Sequence, residues 1–439
     1  MALNSQRSRL LRLAWPIMIS NVTVPLVGAT DVFVLGHQPN PALLAGLGLG
    51  TAAFSLSLFS FNFLRMGTTG PTSQAVGAGN MLEARAILYR ATVLAVLVGI
   101  LLILMRPLII QAMNFAAPAE PTVEQAAATY LQIRLIGAPM ALIEMVLVGW
   151  LWALQDTRSA LYIQLMTNLV NIGLDIWFVL GLNWGVEGAA IASVFAHFCG
   201  ASLGCLIIWQ RLGVDRWKVS TGIFAWDRVR GMLLVNRDIF VRTVCVVLGL
   251  LLFRLEANRF GAIAAASIEP LYQFLTVTAY ALDGVSHAVE PMTGDAIGRK
   301  DRGALREAAI AALQAGGILA FVMSLALFIL GPEIISFFTT IPEVVALAQD
   351  YYHYAAILPF IAVWCYLFDG MFLGAALTSV CRNAMLQTMA VYLVCLFTLP
   401  RWLGLDGLWI AVIIFMALRG VTLAMKWERL LGSAERTPN

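Results

Sequence analysis

The sequence has little charge: Asp, Glu, Lys and Arg make up 12% of its 439 residues, about half the share that is usual in soluble domains. Hydrophobic residues make up 60%, and the mean hydropathy is +0.83. Apolar stretches of roughly 20 residues, each long enough to cross a bilayer, recur from one end of the chain to the other. This excludes a soluble globular fold and predicts an all-α polytopic membrane protein.

The sequence also lacks the motifs of catalysis and metal binding. Its six cysteines have no CxxC or other metal-ligand spacing, so no disulfide framework is implied. It contains no Walker motif, no zinc motif and no nucleophile–base constellation. We therefore expect no enzyme, no nucleic-acid partner and no cofactor beyond a coupling ion, and ATP-driven transport would need a separate partner.

Twelve apolar spans can be assigned along the chain. They lie near 10–36, 44–70, 86–112, 127–152, 158–182, 186–212, 231–258, 262–290, 305–331, 350–375, 382–401 and 405–430. With a cytoplasmic N-terminus, 20 of the 28 basic residues fall on the inner side. Three precede the first span and three follow the last one, and the five inner connections contain two, one, six, four and one in chain order. The positive-inside rule thus supports twelve crossings with both termini in the cytoplasm.

The chain divides into two similar halves. Gly79 and Gly298 are 219 positions apart, and Gly188-Ala-Ala matches Gly407-Leu-Trp at the same offset. Since six crossings return the chain to its starting side, the halves should be parallel repeats. We predict two pseudo-symmetric six-helix bundles, with an N-terminal lobe at 1–212, a cytoplasmic linker at 213–230 and a C-terminal lobe at 231–439.

Polar residues inside the bilayer are concentrated in the first half. Asp31 and Asp175 lie in spans one and five, where a carboxylate is a functional-site hypothesis by default. Asn168, Asn171 and Asp175 follow an i, i+3, i+7 spacing and line one helix face. Asp31, Asp175 and Ser193 each lie about five to seven residues from the outer end of a span, which at 1.5 Å per residue gives them one depth.

Two carboxylates at one depth in a low-dielectric pocket cannot both be ionised cheaply. Such a pair either carries a proton or binds a cation such as weakly held sodium through carboxylate, amide and hydroxyl oxygens. Adding 219 to Asp31 and Asp175 gives Leu250 and Val394. Because the second half has aliphatic residues there, we interpret the cluster as functional; the alternative is that each Asp caps or hydrogen-bonds a neighbouring helix.

Four further residues are candidates. Pro16 removes a backbone hydrogen bond deep in span one and permits a kink, although prolines are common in membrane helices. Asp283, Asp369 and Glu144 lie in spans eight, ten and four. Each could line a substrate cleft, and a structural hydrogen bond is the alternative.

The chain resembles the MATE (multidrug and toxic compound extrusion) family, and within it the DinF-like branch, over nearly its whole length. The matching pieces are Asp31 fifteen residues after Pro16, the face Asn168-Leu-Val-Asn171-Ile-Gly-Leu-Asp175, Gly188-Ala-Ala, and Thr276-Val-Thr-Ala-Tyr-Ala-Leu-Asp283-Gly284 followed by Glu290. The resemblance implies two six-helix bundles facing a central cleft. It also implies a coupling site at the positions of Pro16, Asp31, Asn171 and Asp175, with Ser193 where Thr is more usual.

The expected function is secondary active multidrug efflux. Amphipathic or cationic organic compounds would leave the cell in exchange for protons, or for sodium, by alternating access. The rival hypothesis is a lipid or lipid-linked precursor flippase. We expect a monomer in the inner or plasma membrane, with small-molecule substrates and membrane lipids as its partners.

Overall fold

The computed structural model describes residues 2–36, 41–218 and 222–435. Over those residues the chain forms fifteen α-helices and contains no strand. In order the helices are α1 (Ala2–Gly36), α2 (Pro41–Phe59), α3 (Phe63–Gly77), α4 (Met81–Leu104), α5 (Arg106–Ala116), α6 (Pro121–Ile136), α7 (Ala138–Ala153), α8 (Thr157–Asp175), α9 (Gly185–Leu212), α10 (Trp226–Ala257), α11 (Ala262–Gly298), α12 (Arg302–Phe338), α13 (Pro342–Gly374), α14 (Thr378–Ala424) and α15 (Trp427–Leu431). A π-helical segment, Ile176–Gly181, continues α8, and short 3₁₀ segments lie at Gly213–Trp217, Asn258–Phe260 and Gly432–Glu435.

The predicted spans all fall on helices, so the polytopic all-helical fold is confirmed. In the described part of the chain, eight helical stretches are long and apolar enough to cross a membrane, and α6 with α7 forms a ninth that bends by 52°. Helices α10 and α11 are as long, with 32 and 37 residues. Large apolar side chains such as Phe115, Phe337 and Trp402 are exposed, as is expected of helices that face lipid.

Some helix boundaries differ in detail from the predicted spans. The third ends at Leu104, and α5 follows it as a separate short helix. The last two spans share the 47 residues of α14, which is interrupted at Gly404, where φ is +61° and ψ is −138°. Glycine tolerates this left-handed φ without the clash that a Cβ would cause, so the break falls in the predicted gap between 401 and 405.

The contacts divide the chain into two compact units. We call Ile19–Leu233 the N-terminal unit, and Met1–Met18 together with Leu234–Asn439 the C-terminal unit. Helix α1 therefore contributes its first half to one unit and its second half to the other.

The lobe boundaries stay a prediction. The two compact units have partly different boundaries. The first 18 residues, assigned by the sequence to the N-terminal lobe, group with the C-terminal unit. Of the predicted linker 213–230, the last five residues already belong to α10, and 219–221 lie outside the described residues.

Helix α7 is central in the N-terminal unit, where it packs against α3, α4 and α9. Helices α2 and α6 form another closely packed pair, as do α8 and α9. The fully buried Trp150 of α7 donates a hydrogen bond from Nε1 to the carbonyl of Ala84 in α4 at 2.9 Å. Because α7 is covered on several sides, polar side chains that it carries are enclosed within this unit.

Helix α13 has the corresponding role in the C-terminal unit, where it packs against α11, α12 and α14. The core beside it is aromatic: the Phe253 and Trp409 rings meet edge-on at 5.1 Å, and Tyr392 donates a hydrogen bond to the Gly249 carbonyl at 2.9 Å. The first part of α1 joins this unit through polar contacts of its own. Arg9 forms an ion pair with Asp295 at 2.5 Å.

The two units repeat one pattern of turns. Residues with left-handed φ recur in three pairs whose members are 221 positions apart. The pairs are Gly79 and Lys300, Gln155 and Ala376, and Asn183 and Gly404. Asn80 and Asp301, which follow the first pair, each cap the next helix by accepting a backbone N–H. The internal repeat is thus present, but its offset at these turns is 221, so Lys300, not Gly298, corresponds to Gly79.

Candidate functional site

The two predicted carboxylates meet inside the N-terminal unit. Asp31 of α1 is 6% exposed and Asp175, the last residue of α8, is fully buried. The two side chains interact with each other. Since two adjacent buried carboxylates repel each other and are poorly solvated, this arrangement favours one shared proton or one bound cation.

A partly buried arginine that the sequence analysis missed belongs to the same group. Arg134 of α6 interacts electrostatically with both Asp31 and Asp175, and its guanidinium lies 4.0 Å from the centre of the Phe54 ring. Among the described residues its Nε and Nη1 find no hydrogen-bond acceptor. The signal was present in the sequence, because Arg134 is a charge within the fourth predicted span.

The predicted amide groups lie on the same face of α8 as Asp175, at increasing distance from it, and the predicted hydroxyl group lies on α9. Asn171 is one helical turn from Asp175 on α8, and its Nδ2 donates to Ser193 Oγ of α9 at 3.1 Å. Asn168 Nδ2 donates to Thr23 Oγ1 of α1 at 2.6 Å. The spacing on α8 thus brings these side chains to one face, against α1 and α9. The π-helical segment begins directly after Asp175, and such segments are frequent at functional sites.

Glu144, predicted as a candidate cleft residue, also lies in the N-terminal unit. Its Oε1 accepts a hydrogen bond from Thr167 Oγ1 of α8 at 2.8 Å, and its Oε2 lies 2.9 Å from Nδ1 of His197 on α9. A Cβ on Gly200 would lie 2.0 Å from Thr167 Oγ1 and 3.0 Å from Glu144 Oε2. Only glycine therefore fits where α9 passes this contact. Sequence reasoning named Glu144 but neither of its partners.

Glu144 and Asn171, with their hydrogen-bond partners, line one cavity of about 340 Å³, and Asp31 and Asp175 are not among its lining residues. Its walls come from α1, α3, α6, α7, α8 and α9, and its polar lining is Arg65, Arg134, Glu144, Gln164, Thr167, Asn168, Asn171, Ser193 and His197. Asn171 Oδ1 and Gln164 Oε1 are buried and accept no hydrogen bond from any described residue. Unsatisfied buried acceptors in a polar cavity are the usual partners of water.

The remaining acidic candidates lie in the C-terminal unit. Asp369 of α13 is buried between two arginines, with Arg242 Nε at 3.1 Å from Oδ1 and Arg419 Nη2 at 3.1 Å from Oδ2. This buried cluster of one carboxylate and two guanidiniums, which we call the arginine triad, gives Asp369 a structural explanation. Asp283 of α11 is partly exposed and belongs to the C-terminal unit.

Pro16 lies within α1, which the structure draws as one helix from Ala2 to Gly36. The boundary between the two units falls between Met18 and Ile19, two residues after Pro16. A proline at this point removes one backbone hydrogen bond from the helix. A turn of α1 that lacks one backbone hydrogen bond therefore lies next to the point where the helix passes from one unit to the other.

Comparison with known proteins adds three findings. The model of the MatE family matches residues 16–177 and 239–397. DNA damage-inducible protein F of Escherichia coli (strain K12) is 38% identical over 432 residues, which are 97% of this chain and 93% of that protein. The probable multidrug resistance protein NorM of Thermotoga maritima is 26% identical over 353 residues, 78% of this chain and 74% of that protein.

A solved structure, the outward-facing conformation of a multidrug resistance MATE family transporter of the MOP superfamily, has a similar fold. It superposes with a TM-score of 0.89 over 98% of this chain and 97% of that chain, at 18% sequence identity. At that level of identity the likeness concerns the fold alone.

Proposed function

The chain belongs to the MatE family, and from that premise we propose that it exports amphipathic organic compounds, cationic ones above all, in exchange for protons. Export would proceed by alternating access across the cell membrane, in a monomer with both termini in the cytoplasm. The multidrug resistance named for the NorM relative supports small organic compounds as cargo.

The observation that carries the proposal is the facing pair Asp31 and Asp175. With the offset of 221 that the turns give, the corresponding positions in the C-terminal unit are Leu252 and Leu396, and Leu396 is fully buried. A carboxylate pair that served only to hold helices together would be expected in both units. Its presence in one unit supports a role in coupling.

The surroundings of the pair favour a proton over sodium. Arg134 supplies one fixed positive charge near both carboxylates, so with both acids ionised the three groups carry a net charge of −1. One proton shared between the facing carboxyls neutralises the group. A sodium ion would need several oxygens at once, drawn from Asp31, Asp175, Asn171 and Ser193, while competing with the guanidinium.

We propose that α1 transmits the protonation state. Asp31 lies in its second half, in the N-terminal unit, whereas its first half belongs to the C-terminal unit. Proline is a common cause of helix kinks, so a change at Asp31 could bend α1 at Pro16 and alter access to the cargo.

Purified protein in liposomes tests this function. A fluorescent organic cation is loaded on one side and a proton gradient is imposed with no sodium in any solution. We expect gradient-driven export by the wild type, its loss in Asp31→Asn and Asp175→Asn, and its retention in the matched surface control Asp350→Asn.

Two outcomes would contradict the proposal. Export that begins only when sodium is added outside would replace protons by sodium as the coupling ion. Gradient-independent movement of a labelled lipid, without cation export, would support the lipid or lipid-linked precursor flippase instead.

A further inference from the structure

A second hydrogen-bonded pair of titratable groups lies in the N-terminal unit, apart from the two aspartates. Glu144 and His197 are joined at 2.9 Å, and their side chains are 10% and 24% exposed. The other Glu144 oxygen accepts from Thr167. Both a carboxylate and an imidazole can bind and release a proton, so this pair has the chemistry of a proton-binding group.

The pair lies in line with the aspartates along two helices. On α8, Thr167, Asn171 and Asp175 are spaced four residues apart, and on α9 Ser193 and His197 have the same spacing. The Asn171–Ser193 contact is thus one turn below Asp175, and the Glu144–His197 contact is one turn below that. At 1.5 Å per residue the two titratable groups are about 12 Å apart along the helix axis.

The cavity provides a polar path over the part of that distance between the Glu144–His197 contact and the Asn171–Ser193 contact. Both contacts line it, and 340 Å³ is room for on the order of ten waters at about 30 Å³ each. The buried acceptors Asn171 Oδ1 and Gln164 Oε1 open onto the same space. A file of about two waters at hydrogen-bonding distance covers the roughly 6 Å between the two contacts, and Asp175 lies one helical turn beyond Asn171.

The charges around the pair are few. Arg65 of α3 and Arg134 of α6 line the cavity, α8 contributes only uncharged groups, and α1 contributes Val24 and Val27. Apart from the pair itself, these two arginines are the charged side chains that line the cavity. Taking up one proton changes the charge of the pair from −1 to 0.

We propose that Glu144 and His197 form a proton relay that passes protons between the Asp31–Asp175 pair and the inner side of the membrane. The proton breaks its bond to an aspartate carboxyl, crosses by water and binds the Glu–His pair; on the predicted topology it then leaves towards the cytoplasm. This inference rests on the proposed proton coupling and adds to it a second binding site for the same ion.

The first experiment separates proton transfer from cargo movement. Glu144→Gln and His197→Gln should each slow gradient-driven export, by on the order of 100-fold if proton transfer becomes limiting, while cargo exchange at equal pH on both sides is retained. Glu144→Asp should restore part of the rate and shift its pH profile. The matched controls Glu343→Gln and His353→Gln, both exposed, should behave as the wild type.

A second experiment does not depend on transport. In the double variant Asp31→Asn, Asp175→Asn, infrared difference spectra across a pH step should contain a carboxyl band that is lost when Glu144→Gln is added. Thr167→Val removes one hydrogen bond and keeps both titratable groups, so it should lower thermal stability without abolishing that band.

The outcomes are distinguishable. If the wild type shows proton-coupled export and Glu144→Gln matches it in rate, pH profile and infrared spectrum, the relay is refuted while the proposed function stands. If Thr167→Val reproduces every effect of Glu144→Gln, the contact is structural and the relay is refuted. If the wild type shows no proton coupling, the proposed function and the relay fail together.

Discussion

Replacing Asp369 by Asn should destabilise the C-terminal unit more than removing either arginine of the triad. In the native cluster one carboxylate faces Arg242 and Arg419, and all three side chains are buried. Its formal charge is +1. Asp369→Asn raises that charge to +2 with no counter-ion, whereas Arg419→Met lowers it to 0 and leaves a matched Arg242–Asp369 pair.

The magnitudes follow from this charge count. Removing the only partner of a buried charge costs about 3–5 kcal/mol, and Asp369→Asn does so for two guanidiniums at once. Arg419→Met loses one charged hydrogen bond, about 1.5–3 kcal/mol. For a unit of about 200 residues the first loss corresponds to a fall in unfolding temperature on the order of 10 °C.

Thiol labelling during heating reports this unit selectively. Three buried cysteines, Cys245, Cys365 and Cys381, lie in the C-terminal unit, and the more accessible ones can be removed as Cys199→Ala, Cys205→Ala and Cys395→Ala. In that background a thiol-reactive dye should label Asp369→Asn at the lowest temperature, then Arg419→Met, then the parent.

The variant with all three charges removed completes the test. Asp369→Leu with Arg242→Met and Arg419→Met should recover most of the stability, since well-packed apolar replacements of buried ion clusters are often neutral or stabilising. If it also exports normally, Asp369 does not contact cargo. Equal unfolding temperatures for Asp369→Asn and Arg419→Met would refute the charge argument.

Three further predictions concern the N-terminal unit and α1. Asp31→Asn and Asp175→Asn should abolish proton-driven export without lowering the unfolding temperature, because each removes one of two repelling carboxylates; a marked loss of stability would contradict this. Pro16→Ala should restore a backbone hydrogen bond in α1 and slow turnover more than cargo binding, as steady-state export and equilibrium binding would measure; unchanged turnover would mean that the proline is merely tolerated. Gly200→Val should cost about 1–3 kcal/mol by overpacking against Thr167, seen in thermal unfolding, whereas an unaffected variant would show that α9 can move away.

The sequence predicted the features that depend on residues close together in the chain. Apolar length and basic residues located the spans, and the spacing of Asn168, Asn171 and Asp175 identified one face of α8. The break at Gly404 falls where two spans were separated. Depth along a helix follows from counting residues at a fixed rise, so the shared level of the two aspartates could be predicted as well.

The sequence could not predict which helix faces pack against each other. Arg134 and Asp31 lie more than a hundred positions apart, and Arg242 and Asp369 are as distant. The rotation of a helix about its axis is set by packing against its neighbours, and one sequence records the composition of each face without naming its partner. The Glu144–His197 contact was missed for the same reason.

The division of α1 between the two units also constrains how the protein is made. The first 18 residues are synthesised long before the residues that they contact. Met18 packs against α11 at Gly284, where an added Cβ would clash with it. Arg9 pairs with Asp295, and Arg7 donates a hydrogen bond to Gln314. At about 5–20 residues per second, some 300 residues of synthesis separate the two, or roughly 15–60 s. Throughout that interval the start of the chain must wait in the membrane or at its surface, so the second half of α1 can settle among its neighbours while the first half is still unpartnered.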